Sequence, residues 1–300
     1  MNGDSPPSLN PNNLFVKKVR IFLEMIKFEH SIFALPFAYL GMVLAAGGWP
    51  GWTRFLLITL AMVSFRTMAM AANRLLDQNV DAVNPRTSKR ALPAGLLNPS
   101  FVWASAGVSW VIFSVSCWLL SPLCLALSFF PLILAWIYPF LKRVSLLCHF
   151  VLGLVLGIAP YGAWIAAGGD FSWIPGFLML GVLFWVAGFD IIYALLDFDF
   201  DREKGLHSVP ARLGKEKARV LSRWLHFLTL VCWVLAGMAA DLGWIYFGGL
   251  ALAAGLLIRE HILAKKDSGP LKLNEAFFNL NAWISMIIFV AAALDAAGGF

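Results

Sequence analysis

Apolar residues run through this chain in blocks of about twenty, and short polar breaks separate the blocks. A bilayer core of about 30 Å is crossed by about 20 apolar residues in helical form. On that measure the pattern predicts nine spans, at roughly 22–47, 54–79, 99–120, 123–141, 146–168, 173–197, 216–240, 243–262 and 275–297. Gly48-Trp-Pro-Gly51, Ser121-Pro122, Gly168-Gly169-Asp170 and Asp241-Leu242-Gly243 mark tight connections on one side. The connections on the other side are longer and polar. Residues 1–14 are polar and rich in Pro and Asn, without the apolar segment and small-residue cleavage site of a signal peptide. They are expected to form a disordered tail, with residues 15–300 as a single transmembrane domain.

Composition agrees with this pattern. Of 300 residues, 60% are apolar and 13% charged, against about 45–50% and about 25% in soluble domains. Such a surplus needs lipid to cover it. The net charge of +6 would suggest nucleic acid in a soluble protein, but here the cations sit in short loops between spans. Lys17, Lys18 and Arg20 precede the first span. Arg86, Lys89 and Arg90 follow the second, Lys142 and Arg143 the fourth, Arg202 to Arg219 the sixth, and Lys265, Lys266 and Lys272 the eighth. The opposite side offers only Arg54. The positive-inside bias places the N-terminus and the charged loops in the cytoplasm of a multi-pass protein of the cell (inner) membrane, with Phe300 outside. Cys117, Cys124, Cys148 and Cys232 lie in apolar stretches without metal-ligand spacing and read as packing residues.

Two acidic strings interrupt this apolar background. Asn73, Asp77 and Asp81 close the second span at i, i+4, i+8. Asp190, Tyr193, Asp197 and Asp201 close the sixth at i, i+3, i+7, i+11. On continuous helices each set would share one face. Arg90-x-x-Pro93 follows the first set and His207-x-x-Pro210 the second, so the chain carries a weak internal repeat. Carboxylates at membrane depth are expensive and functional by default. Two clusters of hard oxygen donors suit Mg²⁺, which binds a few carboxylates together with substrate phosphate oxygens. Arg66 lies two turns deeper than Asn73 on the same face, where a guanidinium must meet an anion or water. Arg86 and Arg90 follow in a loop placed to fold over such a site.

These strings resemble the two aspartate-rich motifs of the UbiA superfamily of intramembrane prenyltransferases. N-R-L-L-D-x-x-x-D followed by Arg86, Arg90 and L-P-A-G resembles the first, and D-x-x-Y-x-x-x-D-x-x-x-D followed by H-S-V-P the second. The resemblance covers nearly the whole chain. It implies an all-α membrane fold of nine helices around a central cavity, with both motifs at the cytoplasmic side. It implies that Asn73, Asp77 and Asp81, and Asp190, Asp197 and Asp201, serve metal and diphosphate. It also places Tyr193 and Lys142 near the diphosphate. The usual first motif begins Asn-Asp, and here the second position is Arg74, expected to point off the Asn73 face. The Asn-Arg form, with I-K-F-E-H-S-I-F-A-L-P-F and N-P-R-T nearby, is most similar to the 4-hydroxybenzoate polyprenyltransferase-like subgroup. Some members of that subgroup serve menaquinone synthesis.

The implied reaction is Mg²⁺-dependent transfer of a polyprenyl chain from polyprenyl diphosphate to a small aromatic acid, 4-hydroxybenzoate first and a menaquinone precursor second. Asp190, one to two turns from the other carboxylates, is the candidate base for the ring proton, and Arg66 the candidate partner of the acceptor's carboxylate. A transporter is the rival class, since repeated halves and intramembrane charges also mark transporters. Against it, the acidic clusters sit at one membrane face rather than the midplane. Glu29 and His30 interrupt the first span, and Asn274, Asn279 and Asn281 open the last, where interhelical hydrogen bonding is the expectation.

Overall fold

The structure is a computed structural model, and it describes residues 11–27, 34–265 and 270–298. Every regular element in it is a helix. Helix α1 is Pro11–Met25 and α2 Leu35–Ala46; α3 (Trp52–Leu76) is followed at once by the short α4 (Gln78–Val83). Then come α5 (Pro99–Leu120), α6 (Pro122–Val144), α7 (Cys148–Ala166) and α8 (Trp173–Ala194). A 3-10 turn at Leu195–Asp197 leads into α9 (Phe198–Glu203) and α10 (Val209–Leu213). Three long helices close the chain: α11 (Lys215–Ala239), α12 (Trp244–Lys265) and α13 (Pro270–Gly298).

Among the described residues, eight helical segments are long and apolar enough to cross a membrane. They match the second to ninth expected spans. The first expected span is different. Its start, residues 22–25, belongs to α1, and α2 has twelve residues, about 18 Å of helix, too short to cross by itself. Phe22, Met25 and Ile26 pack against Ala91, Leu92 and Leu97 of the loop between α4 and α5. So the C-terminal end of α1 sits on the face that carries the charged loops, with Phe22, Met25 and Ile26 covered by protein and Phe15 and Val16 exposed. The helix begins at Pro11, inside the stretch expected to be a disordered tail. Glu29 and His30 lie outside the described residues.

The short connections are as expected. Trp49, Trp52, Phe171, Trp173 and Trp244 are exposed there, forming the aromatic band that marks a membrane–water boundary. Arg54, in the first turn of α3, donates to the carbonyl of Ala167 at 2.9 Å and ties two of these connections together.

Two apolar cores fill the molecule. One gathers residues of α2, α3, α5, α6 and α7, the other residues of α2, α8, α11, α12 and α13. Helix α2 serves both: Ala38 and Met42 enter the first core, Phe37 and Leu40 the second. The halves meet where α7 packs on α8. A Cβ on Gly153 would lie 2.3 Å from the carbonyl oxygen of Leu183, and one on Gly157 would lie 2.6 Å from that of Met179. Small residues allow this close helix approach in a membrane protein. It brings the ends of α3 and α8, and with them both acidic strings, to one cavity.

Candidate active site

Each acidic string sits at a helix break rather than along one continuous face. Helix α3 ends at Leu76, and Asp77 takes φ −93°, ψ 3° before α4 begins. Helix α8 ends at Ala194, and Asp197 takes φ −102°, ψ 10° before α9 begins. These values lie in the bridge region, which is sparsely allowed and recurrent at functional sites. The two halves thus repeat a backbone device as well as a sequence string. Asp81, in α4, still lines the cavity, but Asp201, in α9, is fully buried off its wall.

The cavity holds about 1340 Å³. Asn73, Asp77 and Asp81 line one side of its polar end, and Asp190, Tyr193 and Asp197 the other. Away from these groups the wall becomes apolar, with Ile58, Met62, Phe65, Phe113 and Leu127.

Cations meet nearly every carboxylate. Arg86 reaches across the cavity from the loop after α4. Its Nε donates to Asp197 Oδ1 at 2.7 Å, its Nη2 to Oδ2 at 2.5 Å, and its Nη1 to the Tyr193 hydroxyl at 3.1 Å. Asn84 adds a donor to Asp197 Oδ1 at 3.3 Å. The two halves are joined here by a two-point fork, the strongest common geometry for a guanidinium and a carboxylate. The carboxylate and the neighbouring phenol hold the Arg86 guanidinium further into its charged form, against the opposing effect of burial. Arg90 Nη1 lies 2.7 Å from both Asp81 oxygens. Lys142 Nζ lies 2.9 Å from Asp201 Oδ1, so Lys142 lines the cavity with its ammonium turned to a buried partner. Arg143 is 3.5 Å from Asp77. Burial, and then the nearby Asp81 charge, push the Asp77 carboxyl above the usual range.

Arg66 lies on the wall two turns below Asn73, as its spacing implies, and its Nη1 donates to the carbonyl of Ile26 at 3.2 Å. Arg74 departs from its expectation. It also lines the cavity and donates to the carbonyl of Met25 at 3.4 Å, because the inward face of α3 is wide enough to include both 73 and 74. Asn281 accepts from Trp185 Nε1 at 2.8 Å, the interhelical bond expected of an asparagine there, while Asn279 lies on the cavity wall. The side chain of Asn274 lies outside the described residues. All four cysteines are free and buried.

Three wall residues carried no signal in the sequence. Tyr138 precedes Lys142 by one turn of α6, and Asn84 lies beside Asp197. His149, in the first turn of α7, bonds to Asp190 at 2.6 Å. A lone histidine or tyrosine in an apolar segment is ordinary packing until its neighbour is known.

Among the described residues no three His, Cys, Asp or Glu side chains close around one point as a metal cage. Mg²⁺ does not require one. It binds through one or two carboxylates, waters and substrate phosphates. Hard oxygen donors from two helices face each other across a cavity, and a cation would relieve the repulsion between Asp77 and Asp81. The donor set therefore fits a divalent ion carried with a diphosphate.

The profile of the UbiA prenyltransferase family matches residues 34–290. The 4-hydroxybenzoate octaprenyltransferase of Marinobacter nauticus is 31% identical over 262 residues, 86% of this chain and 87% of that one. The enzyme of the same name from Vibrio cholerae serotype O1 is 30% identical over 286 residues, 93% and 98% of the two chains. The apo structure of a UbiA homolog from Aeropyrum pernix K1 superposes with TM-score 0.81 at 36% identity, over 89% of this chain and 98% of that one. A UbiA homolog from Archaeoglobus fulgidus, solved with GPP and Mg²⁺, shares the fold with TM-score 0.65 at 18% identity, over 91% and 99%.

Proposed function

Since the chain belongs to the UbiA prenyltransferase family, we propose that it transfers a polyprenyl chain from a polyprenyl diphosphate to 4-hydroxybenzoate in the membrane, releasing diphosphate, as a step of ubiquinone synthesis. One observation carries this assignment. Carboxylates from both halves, together with the guanidiniums of Arg86 and Arg90, line the polar end of a cavity whose remaining wall is apolar. A diphosphate suits the first environment and an isoprenoid tail the second. The relatives named for octaprenyl transfer to 4-hydroxybenzoate support the acceptor.

Asn73, Asp77 and Asp81 on one side and Asp197 on the other would hold Mg²⁺ with the diphosphate. The ion supplies neutralisation of the charge that develops on the leaving group. Arg86 and Arg90 are already on the wall, and a diphosphate entering between the strings offers their guanidiniums oxygens that compete with Asp197 and Asp81. Tyr193 and Lys142 add donors to the same end. The apolar wall excludes water from the allylic cation, which would otherwise be hydrolysed. Arg66 pairs with the acceptor's carboxylate, since a carboxylate entering an apolar chamber needs a cation. Asp190 takes the proton that the ring loses after the new bond forms.

The test uses membranes containing the protein, a polyprenyl diphosphate, Mg²⁺ and one acceptor at a time. Prenylated 4-hydroxybenzoate as main product supports the assignment. Turnover only with a naphthoate or other menaquinone precursor would move the acceptor and keep the chemistry. Absence of product from every aromatic acid would overturn the assignment.

A further inference from the structure

His149 occupies a position that neither acidic string explains. It is buried, 3% exposed, in the first turn of α7. Its Nδ1 lies 2.6 Å from Asp190 Oδ2. Its Nε2 accepts the backbone N–H of Val209 at 3.2 Å. Val209 opens α10, and the first N–H groups of a helix have no partner within it. The ring therefore satisfies a donor that the segment after the second acidic string leaves open.

These two bonds fix the tautomer. A nitrogen that accepts from a backbone N–H carries no proton, and a neutral imidazole has one donor and one acceptor. Nδ1 must hold the hydrogen and donate it to Asp190. A flipped ring would put a C–H against one of these partners, so the orientation is fixed as well. Among the described side chains His149 is the one hydrogen-bonded to Asp190, and it engages Oδ2. Asp190 itself lines the cavity with its side chain 21% exposed. Oδ1 is then the oxygen left to the substrate side.

We propose that His149 is a positioning residue, a neutral Nδ1–H donor that locks the Asp190 carboxylate so that Oδ1 receives the proton lost by the aromatic acceptor. This rests on the aromatic prenyl transfer proposed above, with Asp190 as base. The proton passes from the ring carbon to Oδ1 as the C–H electron pair returns to the ring, and diphosphate has already left with the electrons of the allylic C–O bond. The bond to Val209 N–H gives the arrangement its rigidity, because it anchors the ring to a segment of a different helix. In a catalytic site, removal of such a supporting partner costs roughly 10–100-fold in activity.

The test compares His149→Leu, which keeps bulk and loses both bonds, with His149→Asn, whose amide N–H sits near the position of Nδ1. Both are assayed in membranes with polyprenyl diphosphate, Mg²⁺ and 4-hydroxybenzoate, alone and combined with Asp190→Asn. The expected result is a kcat roughly 10–100-fold lower for His149→Leu, with the KM for the diphosphate within about twofold, and recovery of most of that loss in His149→Asn. In the Asp190→Asn background His149→Leu should cost nothing further, since residues that act as a unit are not additive. Equal losses in Leu and Asn, or full additivity with Asp190→Asn, would overturn the proposal and leave His149 as a brace for Val209. If His149→Leu fails to insert, the Asn variant decides: a tenfold loss there sinks the idea. Wild-type protein is read first. Product from wild type with an unaffected His149→Leu removes the positioning role alone, whereas no product from wild type with any aromatic acid removes the function and this role together.

Discussion

Each carboxylate of the cavity is known by its partner. Asp197 is gripped by Arg86, Asp81 by Arg90 and Asp190 by His149, while Asp77 shares its surroundings with Asp81 and holds its carboxyl above the usual range. Asp77→Ala and Asp197→Ala should each lower prenyl transfer on the order of 100-fold or more, because each removes a ligand of the proposed Mg²⁺–diphosphate site. Near-normal turnover in either variant, with normal insertion, would contradict a site built from both strings. Arg66→Lys should raise the KM for the aromatic acid roughly tenfold, as an ammonium does not reproduce the guanidinium fork. Kinetics like wild type would leave Arg66 as a cap on the carbonyl of Ile26. Arg66 was readable as a site residue because a charge that cannot be neutralised, deep in an apolar span, has to face an anion or a wet cavity. His149 was not, because its meaning depends on a carboxylate forty-one residues away.

At the scale of elements, the site depends on the α7–α8 contact. Helix α7 carries His149 and α8 carries Asp190, and Gly153 and Gly157 let the two backbones meet. Gly153→Ala should lower stability in detergent by about 1–3 kcal/mol through overpacking, and should lower activity with it. Gly107→Ala is the control. Nothing lies within 4 Å of a Cβ placed there, on an exposed part of α5, so a gain of up to about 1 kcal/mol from helix propensity is expected. Equal melting temperatures for the two variants would remove the close approach as a determinant of the fold. The spans themselves were legible, since an apolar run of sufficient length declares a membrane helix. The breaks at Asp77 and Asp197 were not, because neither a Pro nor a Gly marks them.

At the scale of the whole molecule, the charged loops gather on one face, and Trp49, Trp52, Trp173 and Trp244 stand exposed at the connections on the other. From the positive-inside rule we propose that the charged face, with both acidic strings, is cytoplasmic. A reporter inserted near Lys89 should be active inside and one fused after Phe300 outside, and the opposite pattern would invert the assignment. Activity should vanish with a chelator and return with Mg²⁺ or Mn²⁺; retention in the chelator would remove the metal from the reaction. The sequence by itself determined that the chain is a membrane protein, where its long helices lie, which face carries the charge and which two acidic strings interrupt the apolar spans. All of these are local: a run of apolar residues, a bias in loop charge, a spacing of carboxylates. Only the tertiary structure decided that the end of α1 packs against the loop between α4 and α5. It also turned Asp201 away from the cavity onto Lys142, brought Arg74 to the wall, and joined Arg86 to Asp197 across 111 residues. The physical reason is that a charge buried this deeply must find its partner wherever the packing of other helices delivers one, and that packing is not written in any single segment.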